Sequence, residues 1–277
     1  MSHSLLVVDS DPAVHESLNR LLQRADRRIL DASDGAEALE CARRIPCDLV
    51  VAGQTSRGLN GVQLLRRLGA LRPAPPVILC GGHDPASVID AIRARAFSYF
   101  HQPVPPAPLA DMAQLALDSA SWRDDVKLQS SSPEWIALEV RCKLDAAERS
   151  TQFVREMQAD LPRATREDVA AAFREILFNA VEHGGKCDPL KHVRVALLRA
   201  RRSLIVHVQD PGRGFSMDRL PHAAVNNPGD SPIRHVELRA ERGQRPGGFG
   251  ILMARSLVDE VVYNKRGNEV MLVKYLK

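Results

Sequence analysis

Four short aliphatic runs recur through the first half of the chain: SLLVVD, DLVVA, PPVILC and a weaker AFSYFHQP. The stretches between them carry a helical period. In DPAVHESLNRLLQRA, Val14, Leu18, Leu21 and Leu22 fall on one face, and DGAEALECARR sets Ala38, Leu39 and Ala42 on one side. GVQLLRRLGAL and PASVIDAIRARA repeat the design. Strand and helix alternating over short links predict a doubly wound parallel sheet covered on both faces. The functional crevice of such a sheet lies beyond the carboxyl ends of its strands. Those ends read Asp9-Ser10-Asp11, Gly53, Gly81-Gly82 and Gln102-Pro103.

With 277 residues the chain has room for two domains of ordinary size. Its 44% hydrophobic and 26% charged residues are those of a globular protein, not of a disordered or fibrous one. The formal charge of +4 comes largely from runs such as RRLGALR and LLRARR, which read as solvated faces. Only 4% of residues are aromatic, which argues against a base-stacking platform and hence against direct nucleic-acid binding. Cys41, Cys47, Cys80, Cys142 and Cys187 form no Cys-x-x-Cys pair and read as reduced thiols, mostly in the core. No apolar run approaches the roughly 18 residues needed to cross a bilayer, and MSHSLLVVDSDP passes straight into a strand and does not read as a signal peptide. The expectation is a cytoplasmic protein without a membrane partner.

A seam is expected after the helix PAPLADMAQLALDSASW, where RDDVKLQSSSPEW has linker composition. The boundaries are set at 1–122, a linker at 123–133, and a second domain at 134–277. That second half has a different design. EWIALEVRCKL reads as a strand ahead of two helices, and strands with glycine-rich interruptions follow. TREDVAAAFREILFNAVEHGG is an amphipathic helix whose Thr165 and Asp168 form a capping-box-like start. Glu175, Asn179 and Glu182 or His183 are spaced to stack on one flank of it. An asparagine on a helix is ordinarily solvated, so Asn179 alone says little. Two further features give it weight. LIVHVQDPGRGF delivers Asp210 from a strand into a turn with Gly212 and Gly214, and RPGGFGILMARSLVDEV enters a helix through Gly247, Gly248 and Gly250. Glycines let a backbone approach a ligand, and a helix N-terminus offers unpaired N–H groups to phosphate. A carboxylate after a strand can accept a hydrogen bond from an exocyclic amine.

LLVVDSDP, DLVVAGQTSRGLNGVQLL, PVILCGG and FSYFHQP together resemble the receiver domain of bacterial response regulators, over about the first 120 residues, with its flavodoxin-like fold. In that family an acidic pair holds Mg²⁺, an aspartate takes the phosphoryl group, and a Thr or Ser and a Lys steady the phosphate. The matching positions here are Asp9 and Ser10, Gly53, Gly81 and Gln102, with Asp11 close enough to lean in. A glycine cannot replace a carboxylate nucleophile. Asp48 lies at the wrong end of its strand, so phosphorylation at the usual aspartate is not expected.

EILFNAVEHGG, DPGRGF and GGFGI resemble the asparagine box and the two glycine boxes of the Bergerat-type ATP-binding α/β sandwich shared by histidine kinases and gyrase. Within that group, and with the ending LVDEVVYNKRGNEVMLVKYL, the second half is most similar to the anti-sigma-factor serine/threonine kinases. The resemblance implies roles for matching residues. Asn179 would ligate the Mg²⁺ that bridges the phosphates of ATP, and Glu175 would serve as general base or orient the attacking hydroxyl. Asp210 would read the adenine amine, Gly212 and Gly214 would line its pocket, and Gly248 and Gly250 would cradle phosphates. Residues 216–246 would form a lid, with Arg245 facing the transferred phosphoryl group. Where many relatives place a threonine on the late strand, this chain reads GNEVMLV.

Three readings follow. The first is a partner-switching kinase that phosphorylates an antagonist protein on Ser or Thr and binds a sigma factor or similar regulator, with a homodimer possible. The second is a non-catalytic module that uses ATP to set its shape. The third, a sensor histidine kinase, is disfavoured because no histidine occurs between Leu109 and Pro162.

Overall fold

The structure is a computed structural model that describes residues 2–53, 59–132, 134–215 and 250–276. The chain divides into two compact units, Met1–Lys127 with Glu156–Asp160 and Leu128–Arg155 with Leu161–Lys277.

The first unit alternates strand and helix as its sequence predicts: β1 (His3–Val8), α1 (Pro12–Leu22), β2 (Arg27–Ala32), α2 (Gly35–Arg44), β3 (Leu49–Ala52), α3 (Gly61–Leu68), β4 (Val77–Gly81), α4 (Pro85–Arg93), β5 (Ser98–His101) and α5 (Pro106–Asp118). The sheet order is β2-β1-β3-β4-β5, and every pairing is parallel. All of β3 and β4 is buried, which explains why those strands read as continuous apolar runs without alternation. Leu5, Val7, Leu49, Val51, Ile78 and Cys80 from the strands meet Leu18, Leu22, Phe97, Phe100, Leu109 and Met112.

Four of the five helices start where a short polar side chain takes up otherwise orphaned N–H groups. Asp11, Asp34, Asn60 and Asp84 cap α1 to α4, and Asn60 with Gln63 completes a capping box. Pro12 and Pro85 follow two of these caps, at the position where a proline costs no hydrogen bond.

The second unit is built from β6 (Val126–Ser132), β7 (Trp135–Arg141), α6 (Leu144–Glu156), α7 (Arg163–Asn179), a π-helical turn (Ala180–Gly184), β8 (His192–Ala200), β9 (Ser203–Gln209), α8 (Gly250–Leu257), β10 (Glu260–Tyr263) and β11 (Glu269–Tyr275). Its six strands run in the order β10-β11-β9-β8-β7-β6. The pairs β7–β8, β8–β9, β9–β11 and β10–β11 are antiparallel. Alternate residues bury one face, namely Ile136, Leu138 and Val140, then Val193, Val195 and Leu197, then Leu204, Val206 and Val208. Helix α7 buries Val169, Phe173, Ile176 and Leu177; each large apolar side chain withdrawn from water contributes roughly 1.5–3 kcal/mol.

Two details differ from the sequence reading. The polar run expected as a linker includes strand β6, whose largely exposed residues suit the edge position it takes in the sheet. And α7 starts at Arg163, two residues before Thr165, with Pro162 at its N-cap and no side-chain cap. Proline's fixed backbone begins the helix here in place of a capping box, while Asp168 meets Lys274 of β11 at 3.6 Å. Phe97 is fully buried and packs edge-on against Trp122 at 5.5 Å. Phe97→Ala is expected to cost about 3–5 kcal/mol, read as a lower denaturant midpoint in Trp122 fluorescence.

Candidate functional site

The site in the second unit is assembled along α7. Glu175 and Asn179 lie four residues apart, one helical turn, and both are half-buried. Their neighbour Arg174 is turned to another partner. Its guanidinium pairs with Glu148, with Nε donating at 3.0 and 3.1 Å to the two carboxylate oxygens, and it lies 4.2 Å over the Phe178 ring. Helix α8 begins against this flank. A methyl group added at Gly250, its first residue, would stand 2.8 Å from Glu175 Oε2 and 3.3 Å from Asn179 Nδ2. The structure thus brings Gly250, the first described residue of the second glycine turn, together with the two polar residues of α7.

Beyond Asn179 the helix widens. Gly185 N–H donates to Ala180 O at 2.8 Å, a bond spanning five residues, and Cys187 N–H donates to Val181 O at 2.9 Å. This π turn breaks the 3.6-residue register on which the stacking of Glu182 or His183 with Glu175 and Asn179 is expected, and both residues are exposed. The turn instead brings Gly184 under the end of β9, where any side chain would run into the carboxyl group of Asp210. Asp210 Oδ1 accepts the Gly212 N–H at 2.7 Å. Burial raises its carboxyl above the ordinary range, opposed by that hydrogen bond and by the charge of Arg266.

Gly214 has φ +79° and would meet Arg266 O if it carried a side chain. Gly250 thus lies against Glu175 and Asn179, while Asp210 and Gly212 lie against Gly184 and Gly214 against Arg266. Gly248 and Arg245, with the rest of 216–249, lie outside the described residues. Sequence reasoning passed over Gly184 and the turn Asn264-Lys265-Arg266-Gly267-Asn268. The second had a visible signal, since asparagines flanking a glycine between two apolar strands mark a tight turn. The five cysteines are free; Cys80 and Cys142 are buried, whereas Cys187 is exposed, so the expectation of mostly core thiols holds for only some of them.

At two strand ends of the first unit, neighbouring side chains occupy the space beside a glycine. Asp9 is 4% exposed, and a side chain at Gly53 would overlap its Oδ2. Asp9 Oδ1 accepts the Asp11 N–H at 2.8 Å, and Gln102 Nε2 approaches Oδ2 at 3.5 Å. Desolvation raises the Asp9 carboxyl above its usual range. Asp11 does not lean in, because its carboxylate caps α1 through the Ala13 N–H at 2.9 Å. At the third strand end, the Tyr99 hydroxyl occupies the space that a side chain at Gly81 would need, and it donates to Gly82 O at 2.8 Å. Asp48 sits at the opposite end of β3 and accepts the Ser4 N–H at 2.8 Å.

Residues 5–114 match the response regulator receiver domain model, and residues 140–274 match the histidine kinase-like ATPase domain model. The chain joins a receiver domain to a histidine kinase-like ATPase domain. The positive alginate biosynthesis regulatory protein of Pseudomonas aeruginosa is 34% identical over 128 residues, which cover 45% of this chain and 50% of that protein. The transcriptional regulatory protein GlrR of Escherichia coli is 30% identical over 142 residues, covering 47% of this chain and 32% of that protein. The chain thus spans half or less of the length of these relatives. A receiver domain protein structure from Clostridium thermocellum, 26% identical, covers 42% of this chain and 94% of its own, with a TM-score of 0.39. No helix among the described residues is long and apolar enough to cross a membrane.

The geometry makes Gly214 hard to replace. Gly214→Ala is expected to lose about 1–2 kcal/mol from the left-handed backbone alone, and more from the displaced Arg266 carbonyl. Chemical denaturation of the purified chain measures this.

Proposed function

We propose that the ATPase domain binds Mg-ATP and transfers its γ-phosphoryl group to a Ser or Thr hydroxyl of a small antagonist protein. On this reading the chain is a cytoplasmic partner-switching regulator, which also holds a sigma factor or similar target. The observation that carries the reading is the close approach of Gly250 to Glu175 and Asn179. It leaves a carboxylate and a carboxamide facing the N-terminus of a helix, an arrangement suited to a polyanion beside a hydroxyl that must lose its proton.

In the transfer, the substrate hydroxyl oxygen forms the new bond to the γ-phosphorus as the bond to the β–γ bridging oxygen of ATP breaks. The hydroxyl proton passes to Glu175, and ADP leaves. Asp210, held as an acceptor by the Gly212 N–H, receives the adenine amine. Gly212 and Gly214 line the base, and Gly250, with Gly248, gives the phosphates backbone access. The side-chain oxygen of Asn179 fits Mg²⁺, which typically takes only one or two protein groups alongside phosphate and water; when bound, the ion would neutralise phosphate charge. Arg245 is assigned the same task from the lid.

The receiver domain is proposed to act by protein contact, through docking or homodimerisation, and not to take phosphate. The Asp9 carboxylate fills the space beside Gly53, and Gly53 itself carries no nucleophile. A second reading, a nucleotide-binding switch without transfer, draws on this same feature: in one domain of the chain a neighbouring side chain already occupies the space beside a glycine at a strand end.

Labelled ATP with candidate antagonists distinguishes the two. Glu175→Ala is expected to lower transfer by about a hundredfold or more while sparing nucleotide binding. Asn179→Ala is expected to weaken Mg-ATP binding itself, as read by calorimetry. Binding with no transfer to any partner would leave the switch reading. Acetyl phosphate followed by peptide mapping is expected to leave residues 1–120 unlabelled.

A further inference from the structure

Between β10 and β11 the chain makes a turn that satisfies its own polar groups and lies backbone to backbone on the loop after β9. Asn264 is its knot. The Asn264 side-chain oxygen accepts the N–H groups of Gly267 at 2.7 Å, Asn268 at 3.2 Å and Glu269 at 3.4 Å, and its Nδ2 donates to Asn268 Oδ1 at 3.1 Å. Asn268 is 8% exposed, and its carbonyl accepts the Asp210 N–H at 2.9 Å, one step beyond the Gln209–Glu269 pair of the ladder.

The two turns interlock through their glycines. Gly267 has φ +76°, and any side chain there would strike Phe215 O, just as one at Gly214 would strike Arg266 O. Arg266 reaches back across the loop, with Nε donating to Arg213 O at 3.2 Å and Nη2 approaching Gly212 O at 3.5 Å. Phe215 closes the seam edge-on against Tyr263 at 5.4 Å.

We infer that the Asn264–Asn268 turn is the positioning element for Asp210 and its loop, and that Arg266, by gripping the loop carbonyls of Arg213 and Gly212, keeps the Gly212 N–H on the Asp210 carboxylate, which favours adenine over guanine. This rests on the nucleotide reading above. The chemistry of the bases supplies the selectivity. Adenine presents an amine that donates to a carboxylate; guanine presents a carbonyl at the same place, which a carboxylate repels and a protonated acid welcomes. Asp210 is half-buried, and burial favours its protonated form. The Gly212 N–H and the nearby guanidinium work the other way. Both depend on the turn: Arg266 belongs to it, and Gly212 is part of the loop it supports.

The experiment measures ATP and GTP dissociation constants by calorimetry for the full chain, Arg266→Ala, Arg266→Lys, Asn264→Ala and Asn264→Asp. Arg266→Ala is expected to lose roughly three- to fivefold in ATP affinity, in keeping with an exposed charge, with GTP affinity unchanged or raised. Arg266→Lys should recover part of the ATP preference. Asn264→Ala is expected to lose about tenfold for ATP, and Asn264→Asp, which retains the accepting oxygens, to recover most of it. An ATP-to-GTP ratio in both alanine variants equal to that of the unaltered chain overturns the inference alone. A failure of the unaltered chain to bind ATP overturns the nucleotide reading, and this inference with it. Should Asn264→Ala fail to fold, the Arg266 pair decides on the same criteria.

Discussion

Helix α8 begins against α7 at a residue that has no side chain. At Gly250 a single methyl group would press on Glu175 and crowd Asn179, so the backbone itself forms one wall of the site. That approach depends on the sheet beneath. Val193, Val195 and Leu197 of β8 and Leu204, Val206 and Val208 of β9 are buried on one face, and α7 buries Phe173, Ile176 and Leu177. The apolar pattern therefore dictates which side of α7 remains for chemistry. Glu175 and Asn179 are on that side because their neighbours are buried.

Much of this was legible in residue order. The first unit announced itself through apolar strands alternating with helical runs over short links, since both follow from local physics. The glycine turns and the Glu175–Asn179 spacing were legible for the same reason: one turn of helix is a fixed geometry. What escaped depended on contacts distant in sequence or on small backbone irregularities. Periodicity carries no sign of the π turn, which interrupts the 3.6-residue repeat at Glu182 and His183. Strand β6 is polar because it lies at an edge, and polarity alone resembles a linker. Gly184 matters only because Asp210, 26 residues later, comes to rest upon it.

The two units treat a vacated position differently. In the receiver domain, glycines stand at two strand ends, and the Asp9 carboxylate and the Tyr99 hydroxyl lie where their side chains would go. In the ATPase domain the glycines at 212 and 250 likewise admit neighbours closely, namely Asp210 with the Gly184 backbone, and Glu175 with Asn179. The same residue type serves both units, and what distinguishes them is which side chains lie across the gap.

The widened turn after Asn179 carries one residue more than an ordinary helix would use over the same rise. Each residue of α-helix advances the chain by about 100° around its axis. Trimming one position between Ala180 and Gly184 would wind that segment tight and swing Gly184 away from the end of β9. A side chain would then face the Asp210 carboxyl where bare backbone now lies. Chain length across these five residues is thus as much a part of the site as any functional group, and insertions or deletions there would be tolerated less well than substitutions.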